Sequence, residues 1–445
     1  MRASRLLVTF GIGVVALVSA VHAQEPVATT LHAPTIDYGK PLVEPVHVVH
    51  EWDGEDAGDQ FGWIARDIGD VDGDSVHDLV VSAPTRANGG ANAGRVYVYS
   101  GRSGALLWRA DGRPGDYLGM GVESAGDVDG DGIPDVVASA QGSSEVYVFS
   151  GRDGRLVLTL RPAQPGGRFG AEVAGIGDVD GDGHADIMVG APKSGSAAGD
   201  STGAAYVFSG RTGEVLLTLA GERAGDGFGS AVAGTTIAGR PWLVVGAPGA
   251  GAHHTGRVYV YDALSSTPKF VADADASGGA LGAMFVSVPG DLDGDGSPDV
   301  FATDFPNAAR GKSTGRAYVY SGADGHVLYT LTGDHAGDGF GIGRATAGDV
   351  DGDGRPDLVV GAWKYGTTAP SAGRVYLYSG RDGHLLGTIT GRIPGETLGF
   401  DAVGIGDVDG DGTLDLLVTS AWSGIHGARS GRVYVVSSGV RATAP

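Results

Sequence analysis

The sequence predicts an all-β protein: a seven-bladed β-propeller of four-stranded antiparallel blades, its ring closed by an N-terminal strand that completes the C-terminal blade. Three observations carry this. An aspartate segment recurs as DVDGDSVHD from Asp70, DVDGDGIPD from Asp127, DVDGDGHAD from Asp178, DLDGDGSPD from Asp291, DVDGDGRPD from Asp349 and DVDGDGTLD from Asp407. A seventh copy at Thr235–Trp242, TTIAGRPW, keeps the flanks but has no aspartate, and the mean spacing is about 56 residues. Short Val-, Tyr- and Leu-rich runs repeat in register with these segments, and no stretch holds a helical period.

Each repeat opens with an aromatic residue or Leu before Gly: Phe61-Gly62, Leu118-Gly119, Phe169-Gly170, Phe228-Gly229, Leu281-Gly282, Phe340-Gly341 and Leu398-Gly399. The aspartate segment follows, then an apolar run such as DLVVSAP or DIMVGAP, then a Tyr-alternating run such as GRVYVYSG from Gly94. A short SGRDG-type turn leads to a last run such as RLVLTL from Arg155. Four runs separated by tight turns are a meander, and seven such units suit a propeller, which closes with four to eight blades. An open solenoid is the alternative stacking. The last repeat lacks its fourth run, while VHVVHEWDGEDAGDQFG from Val46 matches VLYTLTGDHAGDGFG from Val327, so the N-terminal run supplies the missing strand and covers the exposed edge.

The domain reading is a signal peptide over residues 1–23, a linker over 24–45, the propeller over 46–438 and a tail over 439–445. Two arginines, an uncharged apolar run and Val21-His22-Ala23 have the three-part plan of a secretory signal. The run is short for a membrane anchor, and no later segment has 18 consecutive apolar residues, so no membrane insertion is expected after cleavage. The chain is expected to be secreted, extracellular or periplasmic, and monomeric. With 31 Lys+Arg against 53 Asp+Glu the net charge is −22, which argues against nucleic acid and anionic lipid. There is no cysteine, so disulfides, zinc thiolates, iron–sulfur clusters and thiol nucleophiles are excluded.

Four carboxylates at positions 1, 3, 5 and 9 of a nine-residue loop repel one another unless a cation lies among them. Calcium takes six to eight oxygens, and D-x-D-x-D-G opens a known calcium loop. The expected ligands are the side chains at positions 1, 3, 5 and 9 and the backbone carbonyl at position 7. They are Asp70, Asp72, Asp74, Val76 and Asp78 in blade one; Asp127, Asp129, Asp131, Ile133 and Asp135 in blade two; and Asp178, Asp180, Asp182, His184 and Asp186 in blade three. Blade five supplies Asp291, Asp293, Asp295, Ser297 and Asp299; blade six Asp349, Asp351, Asp353, Arg355 and Asp357; blade seven Asp407, Asp409, Asp411, Thr413 and Asp415. About six structural Ca²⁺ are expected, none of them in blade four, with magnesium the alternative ion. Ser75 replaces the glycine of the other loops at position 6, so the first loop is expected to be strained and weakest.

Phe-Gly, D-x-D-x-D-G-x-x-D and Gly-Ala-Pro (Gly190-Ala191-Pro192, Gly246-Ala247-Pro248) together resemble the FG-GAP repeat, which builds the N-terminal propeller of integrin alpha subunits. The resemblance covers nearly all of the chain after residue 45. It implies calcium at the loops between the first and second strands, and recognition of a partner on the opposite face. It departs in carrying six intact loops and in losing Gly-Ala-Pro in blades five to seven, where Ala302-Thr303-Asp304, Gly361-Ala362-Trp363 and Ser420-Ala421-Trp422 stand instead.

On that opposite face the connections between second and third strands differ most among repeats. Those of blades five to seven offer Phe305, Arg310, Lys312, Trp363, Tyr365 and Trp422 as candidate ligand-binding residues, suited to stacking on sugars or anchoring a protein; packing between blades is the alternative role of the two Trp residues. Gly311-Lys312-Ser313-Thr314-Gly315 matches G-x-S-x-G but lies in a loop before a strand, not at a strand-to-helix elbow. No catalytic constellation is found. The function expected is an exported calcium-binding module for adhesion to a glycan or an extracellular protein, with a polysaccharide lyase or hydrolase as the alternative.

Overall fold

A computed structural model of the chain describes residues 40–196 and 199–440. The expected signal peptide, residues 24–39 of the expected linker and residues 441–445 lie outside the described residues. The 28 strands form seven four-stranded antiparallel sheets, with no helix among the described residues and hence none long and apolar enough to cross a membrane. Blade one runs Ala65–Gly69, Asp78–Ala83, Arg95–Tyr99 and Leu106–Asp111. The inner strands of blades two to six begin at Leu118, Val173, Ala231, Val286 and Phe340, each followed by its own three strands in chain order. Blade seven takes Ala402–Gly406, Asp415–Thr419 and Arg432–Ser437 from the end of the chain and Val48–Asp53 from its beginning. That fourth strand pairs antiparallel, Trp52 opposite Val433 and Glu51 opposite Tyr434. The seven-bladed ring and its closure are therefore as the sequence predicts.

Burial follows the composition of each strand. The second strands are continuous apolar runs, DLVVSA in blade one and DVVASA in blade two, and are buried at every position because neighbouring blades cover both faces. The fourth strands alternate and leave residues such as Leu106 and Leu156 exposed. The core therefore lies between blades. Seven apolar clusters each join two neighbouring blades, and at the seam Phe61, Leu79 and Tyr97 of blade one pack on Ile405, Leu417 and Val433 of blade seven.

The Phe-Gly signature is the contact that sets this packing. Phe61, Phe228 and Phe340 meet the tyrosine of their own third strand edge-on, with ring centroids 5.3, 5.1 and 5.4 Å apart for Tyr97, Tyr259 and Tyr376. The same position forms a parallel bridge to the glycine that opens the third strand of the preceding blade, as in Gly94–Leu118 and Gly373–Leu398. A Cβ on Gly94 would stand 2.3 Å from the Leu118 carbonyl oxygen, so only glycine permits the approach.

Two features lie outside the repeat. Residues 40–45, read as linker, run along blade six: the Val43 N–H donates to the Thr390 carbonyl (2.9 Å), and the Glu44 carboxylate accepts from the Thr390 N–H (2.6 Å) and hydroxyl (2.8 Å). On the inner strand of blade one Arg66 is buried; it donates to Glu123 of blade two (3.1 Å) and ion-pairs with Asp401 beside blade seven, tying three blades together.

Candidate functional site

Each aspartate loop grows from a defect at the end of its inner strand. In six blades the pairing register slips just before the loop, and the bulged residue is a glycine with positive φ directly before the first aspartate. These are Gly69 (75°), Gly126 (74°), Gly177 (74°), Gly290 (125°), Gly348 (81°) and Gly406 (84°). A bulge turns the strand and aims the loop outward. Blade four has no slip: Ala231–Ile237 pairs continuously with Arg240–Ala247 through a tight turn. The aspartates are absent where the bulge is absent.

Inside a loop the carboxylates gather backbone N–H groups. In blade two the Asp127 carboxylate accepts from Gly130 (2.7 Å), Asp131 (3.1 Å) and Gly132 (2.9 Å), Asp129 accepts from Asp131 (3.2 Å), and Asp131 accepts from Ile133 (2.9 Å). Blades one, three, six and seven repeat the scheme. It folds the chain back on itself and needs positive φ at positions 4 and 6, which glycine supplies. Ser75 takes φ 69° at position 6, as its place in the pattern predicts.

The folding brings carboxylates together. Within each of the sets Asp70/Asp72/Asp78, Asp127/Asp129/Asp135 and Asp178/Asp180/Asp186, one oxygen per residue lies within 4.8 Å of the others; the same holds for Asp291/Asp293/Asp295 and Asp349/Asp351/Asp353. The donors are oxygens only, without sulfur or imidazole, and that set suits a hard divalent cation. The residues therefore fit calcium.

Position 9 has a second task. Asp78 is fully buried; one oxygen accepts from the N–H groups of Val71 (2.8 Å) and Asp72 (3.2 Å), the other from Gly101 (3.0 Å) in the turn between third and fourth strands. The turn glycines Gly151, Gly210, Gly322 and Gly380 do the same for Asp135, Asp186, Asp299 and Asp357. Position 9 thus pins the aspartate loop to the neighbouring hairpin, and the two share one face as expected. Blade seven has no such hairpin, its fourth strand coming from the other end of the chain, and Asp415 Oδ1 is left without a hydrogen-bond partner. Burial pushes the carboxyls of Asp78, Asp135, Asp299, Asp357 and Asp415 up to about 6, against the pull of those N–H donors. At position 1 the balance reverses: several N–H donors hold the exposed Asp70 below its ordinary value despite some desolvation.

Protein cations also lie at the loops. Arg102 and Arg152, from the hairpins, donate to position 5 of their loops, Asp74 (3.0 Å) and Asp131 (2.9 Å). Position 7 reaches backward: His184 Nδ1 donates to the Val128 carbonyl in loop two (2.7 Å), and Arg355 donates to the Asp291 carbonyl in loop five (3.1 Å). In blade four a cationic cluster stands in place of the acidic one. Lys269 and Arg240 flank the Trp242 ring at 5.0 and 5.8 Å and share Asp262.

On the opposite face, Trp363 and Trp422 meet edge-on at 5.0 Å and both contact Phe400, which in turn lies 5.0 Å from Trp63. Lys364 lies 4.2 Å over Trp363 and Arg429 4.9 Å over Trp422. The two indoles are half-buried members of one cluster, so packing accounts for much of their surface. Tyr365 is turned inward, 4% exposed beneath the Arg374 guanidinium at 3.8 Å, and so does not present itself on this face. Phe305 is half-buried, while Arg310 and Lys312 are exposed on the blade-five connection. Sequence reading missed the contributions of Phe400 and Trp63. Each follows a Leu-Gly or Phe-Gly pair, Leu398-Gly399 and Phe61-Gly62, and that register was the available signal.

Comparison with known proteins was made on this geometry. Residues 127–189 and 291–360 match the model of the FG-GAP-like repeat, and residues 67–99, 343–378 and 400–436 match that of the FG-GAP repeat. Similar curated proteins include integrin alpha-PS5 of Drosophila melanogaster, 31% identical over 189 residues (38% of this chain, 18% of that protein). Integrin alpha-5 of Xenopus laevis is 31% identical over 233 residues, 47% of this chain and 21% of that protein. Integrin alpha-4 of Xenopus laevis is 29% identical over 167 residues, 34% of this chain and 15% of that protein. The aligned part thus spans 15–21% of the length of these relatives.

Proposed function

The chain belongs to the FG-GAP repeat family as an integrin-alpha-like propeller, and on that premise we propose that it is an exported, calcium-stabilised module for binding or adhesion. The observation that carries the reading is the division of the two faces. One face holds six aspartate loops whose oxygen-only donors converge, pinned to their hairpins through position 9. The other holds the connections that vary from blade to blade and carries no catalytic array.

Calcium would be held by the side chains at positions 1, 3, 5 and 9 and the carbonyl at position 7 of blades one to three and five to seven. It supplies charge compensation to carboxylates that otherwise repel one another or borrow Arg102 and Arg152. The ligand is a glycan or an extracellular protein, and the signal-like N-terminus supports secretion.

The test is an array of glycans and extracellular proteins probed with the intact chain in calcium and again in chelator. Binding that is present in calcium and lost in chelator is expected. A chain that binds nothing on the array, and instead releases reducing ends from polysaccharides, would replace this reading with the enzymatic one.

A further inference from the structure

The widest cavity of the ligand face lies where the ring closes. It encloses about 560 Å³ between residues 56–60, which connect the closing strand to blade one, the 85–92 stretch of blade one, and Arg429 of blade seven. That size falls within the range of roughly 300–1,000 Å³ usual for small-molecule sites. Its walls are polar, formed by Asp56, Asp59, Gln60, Thr85, Arg86 and Asn88 among others.

Most of these groups are already committed. Arg86 ion-pairs with Asp59 and with Glu55 (2.6 Å), so its charge is cancelled. The Thr85 hydroxyl donates to the Gly58 carbonyl (2.6 Å), and the Asn92 amide donates to the Tyr117 hydroxyl (2.8 Å). These bonds fix the walls, and Gln60 and Asn92 stand at positive φ (54° and 52°) to make the turns. Against that order, the amide nitrogen and the amide oxygen of Asn88 are both buried without any hydrogen-bond partner, as is Nε of Arg86. Buried polar atoms left unpaired cost free energy, and a site that leaves several of them at one cavity is built to receive a polar ligand.

The chemistry of the unpaired atoms narrows the ligand. A primary amide sets a donor beside an acceptor, which complements two adjacent hydroxyls, each of which can donate and accept. An anion would need net positive charge, but Arg86 is neutralised and the chain carries −22. A cation would need free carboxylates, but Asp59 and Glu55 are taken by Arg86. A peptide anchor would need an apolar pocket, which these walls do not form. At the rim Arg429 lies over Trp422, so the cavity continues into the Trp422–Trp363–Phe400 cluster, where the C–H face of a sugar ring can rest.

We propose that this cavity at the junction of blades seven and one binds a neutral oligosaccharide, with Asn88 clamping a vicinal diol and Arg429–Trp422 forming the rim. The proposal rests on the binding-module reading and names the ligand class and the place.

The experiment is calorimetric titration of the intact chain in calcium with maltotriose, mannotriose and galactotriose, and with a panel of extracellular matrix proteins. Asn88→Ala, Asn88→Asp and Arg429→Ala are run in parallel, with melting temperatures recorded to separate binding from folding. Saturable binding of at least one trisaccharide is expected, weakened at least about tenfold by Asn88→Ala with an unchanged melting temperature, since a bidentate contact is lost. Asn88→Asp removes the donors, keeps the acceptors and should fall between. Should Asn88→Ala melt early, Arg429→Ala on the exposed rim decides the matter by the same criterion. Sugar binding unaffected by both substitutions would overturn the site. Protein binding without sugar binding would overturn the sugar proposal and leave the binding-module reading standing; no binding of either kind would overturn both.

Discussion

Ser75 is the residue at which the repeat is least at ease. It holds φ 69° where every other intact loop has glycine between 84° and 89°, a conformation in which a Cβ costs on the order of 1 kcal/mol. The first loop should therefore lose its ion first when calcium is withdrawn stepwise, and Ser75→Gly should abolish that early step; a chelation profile identical in the variant would count against it. Position 9 offers a sharper comparison. Asp357 uses both oxygens, accepting from Val350 (2.7 Å), Asp351 (3.1 Å) and Gly380 (3.0 Å), whereas Asp415 has one oxygen with no partner. In chelator, Asp357→Asn should cost about 1–3 kcal/mol, because an amide N–H then faces a backbone N–H, and Asp415→Asn should cost clearly less. Urea unfolding of the two variants gives the difference, and equal costs would refute the pinning role. The aspartates themselves were legible from spacing alone, since all four chemistries of a loop lie within nine residues. Tyr365 was not: what turns it inward is Arg374, nine residues on and across a loop, and nothing local in the sequence announces that contact.

Among the elements, the aspartate loop and the hairpin beside it behave as one unit joined through a buried carboxyl. Asp78, Asp135, Asp299, Asp357 and Asp415 stand near 6 in the folded metal-free chain against an ordinary 3.8. Between those values the folded state holds protons that the unfolded state has released. Their contribution to stability is thus fully present below about 4 and is lost as pH rises through about 6. In chelator the melting temperature should fall from pH 4.5 to pH 7, and the protective effect of calcium should grow over the same interval, because the ion favours the ionised form. A chelated protein that melts higher at pH 7 than at pH 4.5 would contradict this account. Strand identities were legible because the burial of each strand is written in its own alternation. The docking of residues 40–45 on blade six was not, for it rests on Glu44 meeting Thr388 and Thr390, more than 340 residues away, with no pattern in the segment itself.

At the scale of the whole molecule, the ring has seven similar blades and two singular places. One is blade four, where the bulge and the aspartates are missing together and Lys269 and Arg240 gather about Trp242 and Asp262. The other is the seam, where strands from opposite ends of the chain pair and Arg432 joins Asp53 (2.5 Å) and Glu51 (2.9 Å) across the junction. The seam was legible because the fragment from Val46 repeats the internal one from Val327. The cavity beside it was not, since Asn88 and Arg429 are brought together only by closure. The central claim is that the repeated loops are calcium sites that hold the blades together, and the most direct measurement is the calcium content of the purified mature chain with its melting temperature in calcium and in chelator. The account predicts about six calcium ions per chain, with blade four empty, and a melting temperature lowered by many degrees once they are removed. A chain that retains no calcium after equilibration, or melts at the same temperature in both buffers, would contradict it.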